Sequence, residues 1–586
     1  KETTTPCPYC GCGCLLTIGS KNGEIKRVFS DPNRGPSDGN LCVKGRFGWD
    51  FIDHPDRVKT PILRVNGVFK EALWDEALQW IVHQFEETKA QYGPDAIAGI
   101  VSSRLTNEEH YLFQKLFREG IGTNQIAYGV DGAYTGLTEG LAKTLGIAAS
   151  TNSIQEIRKA DCILVIGVDP AATHPIIKNE IHLSIRRNRS QLIVLGSQDI
   201  GLTGATQVSP MFHPSITLID QPGMEVSLLN AMVGIILREG LEDKSFVLEK
   251  TQGIEELKKK MATLDESLKN LPEAKKTEIE KAARAFAKAK KAMILIGAGL
   301  GSHVPSKEMA MAASNLALIT GHLGKESSGI LILLDKCNAQ GAIDMVDGEK
   351  GGAWGLKHLI QKAEEGKIRA VYIIGENPLL NYPHSDRLRK AFEKLSCLVV
   401  QDLFLTETAK MAHVVLPASA FVEKSGTYTN LERRVQKLNP LRPPRHQDGK
   451  QWPDNVSYLY ADGFPHGKAK LMPVGKTLGP PAPEGYPFQL IQRPSLFQSG
   501  LLSAKSEALR MVSEKPYLEI NLEDARALKI EEEEVIQVST HGGRSLRMKA
   551  RLSSKPSPGV ITAPYPCPII DEAGVISVKI ERLKEK

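Results

Sequence analysis

Long apolar runs are missing from this chain of 586 residues. No stretch reaches the roughly 18 residues a membrane-spanning helix needs. Net charge is small as well: +6 over the whole length, with lysines and arginines spread throughout, offers no basic stripe for nucleic acid and reads as a solvated surface. There is no internal repeat and no low-complexity tract. A disulfide framework is absent too. Cys162, Cys337, Cys397 and Cys567 are widely scattered, mostly in apolar runs, and read as buried free thiols of a protein in a reducing, cytoplasmic setting. The chain starts at Lys1 rather than Met, which leaves a removed leader or further upstream sequence open. With 41% hydrophobic and 24% charged residues, the composition is that of globular protein, long enough for about three to five domains.

The other five cysteines stand close to the start, in Cys7-Pro8-Tyr9-Cys10-Gly11-Cys12-Gly13-Cys14 and at Cys42. Cys7, Cys10, Cys14 and Cys42 form C-x2-C-x3-C-x27-C. Soft thiolates select iron–sulfur clusters or zinc, and three close ligands followed by a distant fourth is a common way to hold [4Fe–4S]. A zinc knuckle, the alternative, usually prefers two C-x2-C pairs. The glycines around Cys12 let the backbone wrap tightly and aim amides at sulfur. Lys44 places a cation two residues after the last thiolate, beside a net-negative cluster, where it would assist electron transfer. Cys12 is left over, as a spare or a substitute for a neighbouring ligand.

Beyond this cap the apolar pattern predicts a helix over 74–92, with Leu78, Ile81, Val82 and Phe85 on one face, and a buried strand over 96–101. A helix follows over 107–117, with Thr106 or Asn107 as N-cap and two glutamates in its first turn. From about residue 150 strands and helices alternate: strands at 162–167, 191–195 and 293–297, helices at 175–185, 224–237 and 276–288. A second such run holds strands at 370–375, 397–401 and 414–416 and a helix at 385–395. Alternation of this kind implies parallel sheets covered by helices, which bind ligands at the carboxyl ends of their strands. Residues 440–515, rich in proline and glycine, read as connection, and 517–586 as a small β domain.

Longer strings carry a resemblance. They include Cys42-Val43-Lys44-Gly45-Arg46, Thr106-Asn107-Glu108-Glu109, Ile121-Gly122-Thr123-Asn124, Gly375-Glu376-Asn377-Pro378, Gln401-Asp402-Leu403-Phe404 and Gly426-Thr427-Tyr428-Thr429-Asn430-Leu431-Glu432. The chain resembles the catalytic subunit of molybdopterin-dependent formate dehydrogenases, and with it the large iron–sulfur subunit of respiratory NADH dehydrogenase, over residues 5–580 or so. The resemblance implies an α/β multidomain protein: a [4Fe–4S] domain over 1–57, an αβα domain from 58–150 plus 325–440, a Rossmann-like αβα domain over 151–324, a connection over 441–515, and a six-stranded β-barrel, of the molybdopterin-dinucleotide-binding type, over 516–586.

The same resemblance exposes departures. A formate dehydrogenase needs a thiolate or selenolate on the metal, a neighbouring histidine, and an arginine for the formate carboxylate. Where the family has the Cys/selenocysteine–His pair, this chain has Ala133-Tyr134, and where it has the arginine, Leu334. Asp131, Tyr128, Lys336 and Cys337 are weak substitutes. The nucleotide contacts are altered as well: Gly196-Ser197-Gln198 replaces an Asp-Pro-Arg that binds guanine, Gly223-Met224-Glu225 replaces a Gly-Thr-Asp, and Ala172-Thr173 precede His174-Pro175 where a glutamate is expected. Pro564–Pro568 and the region around Gln451-Trp452-Pro453 depart too.

These readings lead to one expectation. The chain itself is not catalytic. It carries one [4Fe–4S] cluster but no molybdopterin, and serves as an electron-transfer or scaffold subunit beside iron–sulfur and flavin/NADH-binding partners, in the cytoplasm or on the cytoplasmic face of a membrane complex. The alternative is a molybdopterin or tungstopterin enzyme with altered chemistry.

Overall fold

The computed structural model describes residues 1–22, 24–129, 132–198, 200, 216–268, 272–297, 305–347, 356–382, 385–441, 468–474, 482–493, 495–497, 500–513, 515–564, 567–570 and 575–583. These fall into two compact units that interleave along the chain. The first comprises Lys1–Gly132, Asp335–Asp454 and Gly500–Met511, the second Ala133–Leu334, Asn455–Ser499 and Val512–Lys586.

The first unit begins with a three-stranded antiparallel sheet, Glu2–Pro6, Leu15–Lys21 and Glu24–Phe29. Its small interior, with Leu16 and Ile18 fully buried, is extended by an aromatic group: Tyr9 packs edge-on against Trp49 and Phe51, and both of those meet Phe421. The main sheet has seven strands in the order Val68–Glu71, Ile62–Val65, Val414–Pro417, Cys397–Asp402, Ala370–Ile374, Ile97–Val101 and Ile126–Tyr128. The last five run parallel, and the hairpin of the first two is added antiparallel at the edge. Ile97–Val101 is buried at every position, as a strand covered on both faces must be.

Helix Trp74–Tyr92 forms as its apolar spacing predicts, but its apolar stripe is not all core. Leu78 and Val82 are 44% and 53% exposed, as is Trp74 at 46%, while the small Ala77 and Thr88 are buried. Helix Asn107–Lys115 starts on a capping box: the Thr106 hydroxyl accepts from Glu109 N at 3.1 Å, and the Glu109 carboxylate accepts from Thr106 N at 2.8 Å.

The second unit holds a five-stranded, fully parallel sheet ordered Ile216–Ile219, Gln191–Gly196, Cys162–Ile166, Ala292–Ile296, Gly329–Ile332. Chain direction across the sheet reverses at Cys162–Ile166, which makes the carboxyl ends of that strand and of Ala292–Ile296 the switch point where such sheets take ligands. A closed six-stranded barrel completes the unit, in the order Phe488–Arg493, Val560–Pro564, Tyr517–Asn521, Ser545–Ser553, Val535–Thr540, Val575–Arg582.

Three expected boundaries shift. Phe488–Arg493, inside the stretch read as connection, is a barrel strand, paired in parallel with Val560–Pro564. Its neighbouring prolines and glycines hid a six-residue strand. Gly329–Ile332 belongs to the five-stranded sheet through Ala292–Ile296, so that layer extends past 324. Residues from 133 onward group with the second unit rather than with 58–132.

Candidate functional site

The cysteine loop is the connection between the first two strands, closed by Cys7 N donating to Cys14 O at 2.8 Å. Cys7, Cys12 and Cys14 are buried, Cys10 and Cys42 partly so. Cys42 caps the short helix Val43–Phe47, which carries Lys44, 3% exposed. Burial first, and then the charges of the neighbouring thiols, push Cys7 and Cys14 well above an ordinary thiol pKa. Cys42 is raised by burial and by Cys10, against the opposing effect of Lys44. Bound iron reverses this, since a coordinating thiol is deprotonated outright.

Among the described residues no three His, Cys, Asp or Glu side chains converge where one ion would sit. The thiols nonetheless act on one another electrostatically. Cys12 is fully buried and hydrogen-bonds with the Cys10 side chain.

The loop's carbonyls are held from far along the chain. Asn430 Nδ2 donates to Cys12 O at 3.0 Å, Gln436 Nε2 to Gly13 O at 2.8 Å, and Leu431 N to Gly11 O at 2.8 Å. Arg104 Nη1 donates to Pro8 O and Tyr9 O at 2.5 and 2.9 Å. Tyr9 in turn donates to Gly48 O at 2.6 Å. The holding residues are themselves locked. Asn107 Nδ2 donates to the hydroxyls of Thr427 and Thr429 at 3.0 and 2.9 Å. Asn338 donates to Asn107 Oδ1 and to Leu105 O, and accepts from Thr429 N at 2.6 Å. Lys424 pairs with Glu109 at 2.6 Å. Arg104, Asn107, Asn338, Asn430 and Gln436 were missed as site residues, although two of them, Asn107 and Asn430, lie inside the strings that carried the resemblance.

At the carboxyl end of the main sheet, Asp402 is the buried last residue of one strand and Glu376 is buried just after the adjacent one. Glu376 Oε1 accepts from Asn381 Nδ2 at 2.5 Å and from Asn377 N at 3.2 Å. Burial, and secondarily the charge of Glu376, push Asp402 up to about 7. Lys336 pairs with Asp335 at 2.5 Å, and Cys337 is buried with its thiol hydrogen-bonded to Tyr428.

In the second unit Leu334 is 1% exposed. Its carbonyl accepts from His174 Nε2 at 2.8 Å, and the Thr173 hydroxyl lies 2.9 Å from His174 Nδ1. Nε2 therefore carries the proton given to the carbonyl, and the ring is tied at both nitrogens. Tyr134 is buried. The Ala133 side chain and Asp131 lie outside the described residues, as do Gln451-Trp452-Pro453 and Tyr565-Pro566.

Comparison with known proteins decides the family. Residues 57–453 match "Molybdopterin oxidoreductase", 1–54 its "Molybdopterin oxidoreductase Fe4S4 domain", and 488–582 the "Molydopterin dinucleotide binding domain". The chain belongs to the molybdopterin oxidoreductase family. It is 30% identical to formate dehydrogenase H of Escherichia coli, over 96% of this chain and 91% of that one. It is 31% identical to the F420-dependent formate dehydrogenase subunit alpha of Methanocaldococcus jannaschii, over 96% and 94%. The NADPH-Fe(3+) oxidoreductase subunit alpha of Geobacter sulfurreducens is 31% identical over 96% of this chain and 71% of its own length. Acetylene hydratase from Pelobacter acetylenicus superposes with a TM-score of 0.80 over all of both chains at 18% identity, a likeness of fold.

A member of the molybdopterin oxidoreductase family with its dinucleotide-binding domain present gives no support to the expectation that molybdopterin is absent. The second unit's sheet edge bears on the same point. Gln198 is buried, with Oε1 lacking a hydrogen-bond partner among the described residues. It lies where the resemblance puts a guanine contact, and an amino group from a purine would satisfy it. Barrel residues line the same edge: Ser557 Oγ donates to Ser197 O at 3.2 Å, and Gln221 Nε2 donates to Pro558 O at 2.9 Å. Glu225 accepts from Gly223 N at 2.8 Å, and burial raises it to about 7. Gln198 and Glu225 are the residues that would hold the nucleotide arms of the cofactor. The group would supply a redox-active metal.

Proposed function

We propose that this chain is an iron–sulfur electron-transfer subunit of a multi-subunit redox complex, similar to the large iron–sulfur subunit of NADH dehydrogenase. It derives from a formate dehydrogenase-like enzyme and no longer turns formate over. Cys7, Cys10, Cys14 and Cys42 hold one [4Fe–4S] cluster, and Lys44 supports its charge. The observation that carries the reading is Leu334. An apolar side chain, 1% exposed, with its carbonyl occupied by His174, stands where the substrate arginine is expected, and it offers formate no charge-assisted hydrogen bond. Ala133, in place of the metal-bound thiolate or selenolate, supports the same conclusion. Flavin or nicotinamide chemistry then belongs to partner chains. Two of the relatives are named as alpha subunits, and the exposed stripe of Trp74, Leu78 and Val82 is the sort of surface a partner covers. No helix among the described residues is long and apolar enough to cross a membrane.

The Gln198 acceptor, unpaired among the described residues, favours a second reading, a pterin enzyme with changed substrate chemistry. Elemental analysis of the purified native complex separates the two. The proposed function expects about four irons in this chain and no stoichiometric molybdenum or tungsten. Molybdenum or tungsten traced to this chain, with any substrate-dependent turnover, refutes it.

A further inference from the structure

We propose that Arg104 sets the reduction potential of the cluster site, acting as a positioning residue whose positive charge is aimed at the loop between the first two ligands. The inference rests on the reading of Cys7, Cys10, Cys14 and Cys42 as [4Fe–4S] ligands.

Arg104 follows strand Ile97–Val101 and precedes helix Asn107–Lys115, so rigid elements fix it on both sides. Its backbone is pinned: N donates to Ser102 Oγ at 3.3 Å, and its carbonyl accepts from the Tyr428 hydroxyl at 3.2 Å. Its guanidinium reaches back across the sequence to Pro8 O and Tyr9 O, the two residues that separate Cys7 from Cys10. The side chain is half-buried, and among the described residues no carboxylate pairs with it. Its charge is felt around it, opposing the rise of the Cys337 thiol. An unneutralised cation at low local dielectric stabilises an added electron on the neighbouring cluster. A guanidinium that also satisfies two loop carbonyls cannot swing away from it. Lys44 is the other cation of the site, and its charge acts on Cys42. The two are therefore separable by mutation.

The test is a redox titration of the cluster in the intact complex, followed by electron paramagnetic resonance, with iron counted per chain. Arg104→Gln keeps a donor for the carbonyls and removes the charge; Arg104→Lys keeps the charge and removes the fork. Arg104→Gln should retain iron and make the cluster at least tenfold harder to reduce at a fixed ambient potential, a shift of about 59 mV for one electron. Arg104→Lys should stay within about threefold of wild type. A wild-type potential in Arg104→Gln overturns the inference, as does an equal shift in Arg104→Lys. Iron loss in both variants also overturns it, leaving a purely structural clamp. A wild-type complex without a [4Fe–4S] signal from this chain removes the parent reading. An intact cluster with an unmoved potential removes only the role of Arg104.

Discussion

Gly13→Ala is the sharpest probe of how the cysteine loop is held. Gly13 sits at φ +68°, a left-handed conformation that costs an L-residue about 1–2 kcal/mol. A new Cβ would lie 2.2 Å from Gln436 Oε1 and 2.7 Å from Asn430 Cβ. Both side chains must move, and each satisfies a loop carbonyl, that of Gly13 and that of Cys12. Leaving one of these unpaired in the interior costs about 1–3 kcal/mol. The sum is about 2–5 kcal/mol, concentrated on the loop that carries three of the four ligands. At the low end, the opened loop becomes about 30-fold more populated.

The assay is the rate at which visible absorbance near roughly 400 nm bleaches in the presence of an iron chelator, set against Gly45→Ala. In Gly45→Ala the added methyl meets only Leu41 and Leu16, at 3.7 Å or more. Gly13→Ala should bleach at least tenfold faster, with the control near wild type. Equal rates in all three proteins would refute the account of the loop.

Cys10→Ser should lose the cluster and make residues 1–57 protease-sensitive while the barrel stays folded, because the cap's own core is small; iron content with limited proteolysis checks this. Ala133→Cys should restore no formate oxidation, since Leu334 remains in the arginine's place, and formate-dependent dye reduction by this variant would contradict the proposed function. Asp402, raised in the folded state to about 7, contributes stability that is fully present below the unfolded value of about 4 and is lost as pH rises through 7. Asp402→Asn should flatten the fall in thermal midpoint between pH 4 and 8, gaining up to about 4 kcal/mol at the alkaline end. Parallel curves for the two proteins would rule that out.

The parallel sheets were legible in the sequence because Ile97–Val101 and Cys162–Ile166 are continuous apolar runs, buried at every position, and such runs have few other ways to fold. The capped start of helix Asn107–Lys115 was legible for a local reason: Thr106 and Glu109 satisfy each other's backbone. Strand Phe488–Arg493 was not, since its place is set by pairing with Val560–Pro564 and Val575–Arg582, partners some seventy or more residues away. Arg104, Asn430 and Gln436 escaped for the same reason. Nothing near them in sequence shows that their polar ends meet the carbonyls of residues 8–13; only the tertiary fold brings them there. The exposure of Trp74, Leu78 and Val82 was not legible either, because helical periodicity reports an apolar face without saying what covers it.

The two halves of the family's machinery are built into the fold to different depths. The cluster loop is bound through Asn430 and Gln436, which follow a strand locked by Asn107 and Asn338, whose amides also pair with each other. Replacing any of these leaves buried polar groups unsatisfied, each costing about 1–3 kcal/mol whether or not electrons flow. The site is thus retained by the stability of the first unit itself. Leu334, where the resemblance places the substrate arginine, carries no such load. On the proposed function, an alanine at 133 and a leucine at 334, the latter packed at 1% exposure with its carbonyl paired, would remove a thiolate and a cation without stranding a polar group at Leu334. A chain released from selection on turnover could therefore lose its chemistry at little structural cost while its cluster cage stayed intact, as the proposed electron-transfer role requires.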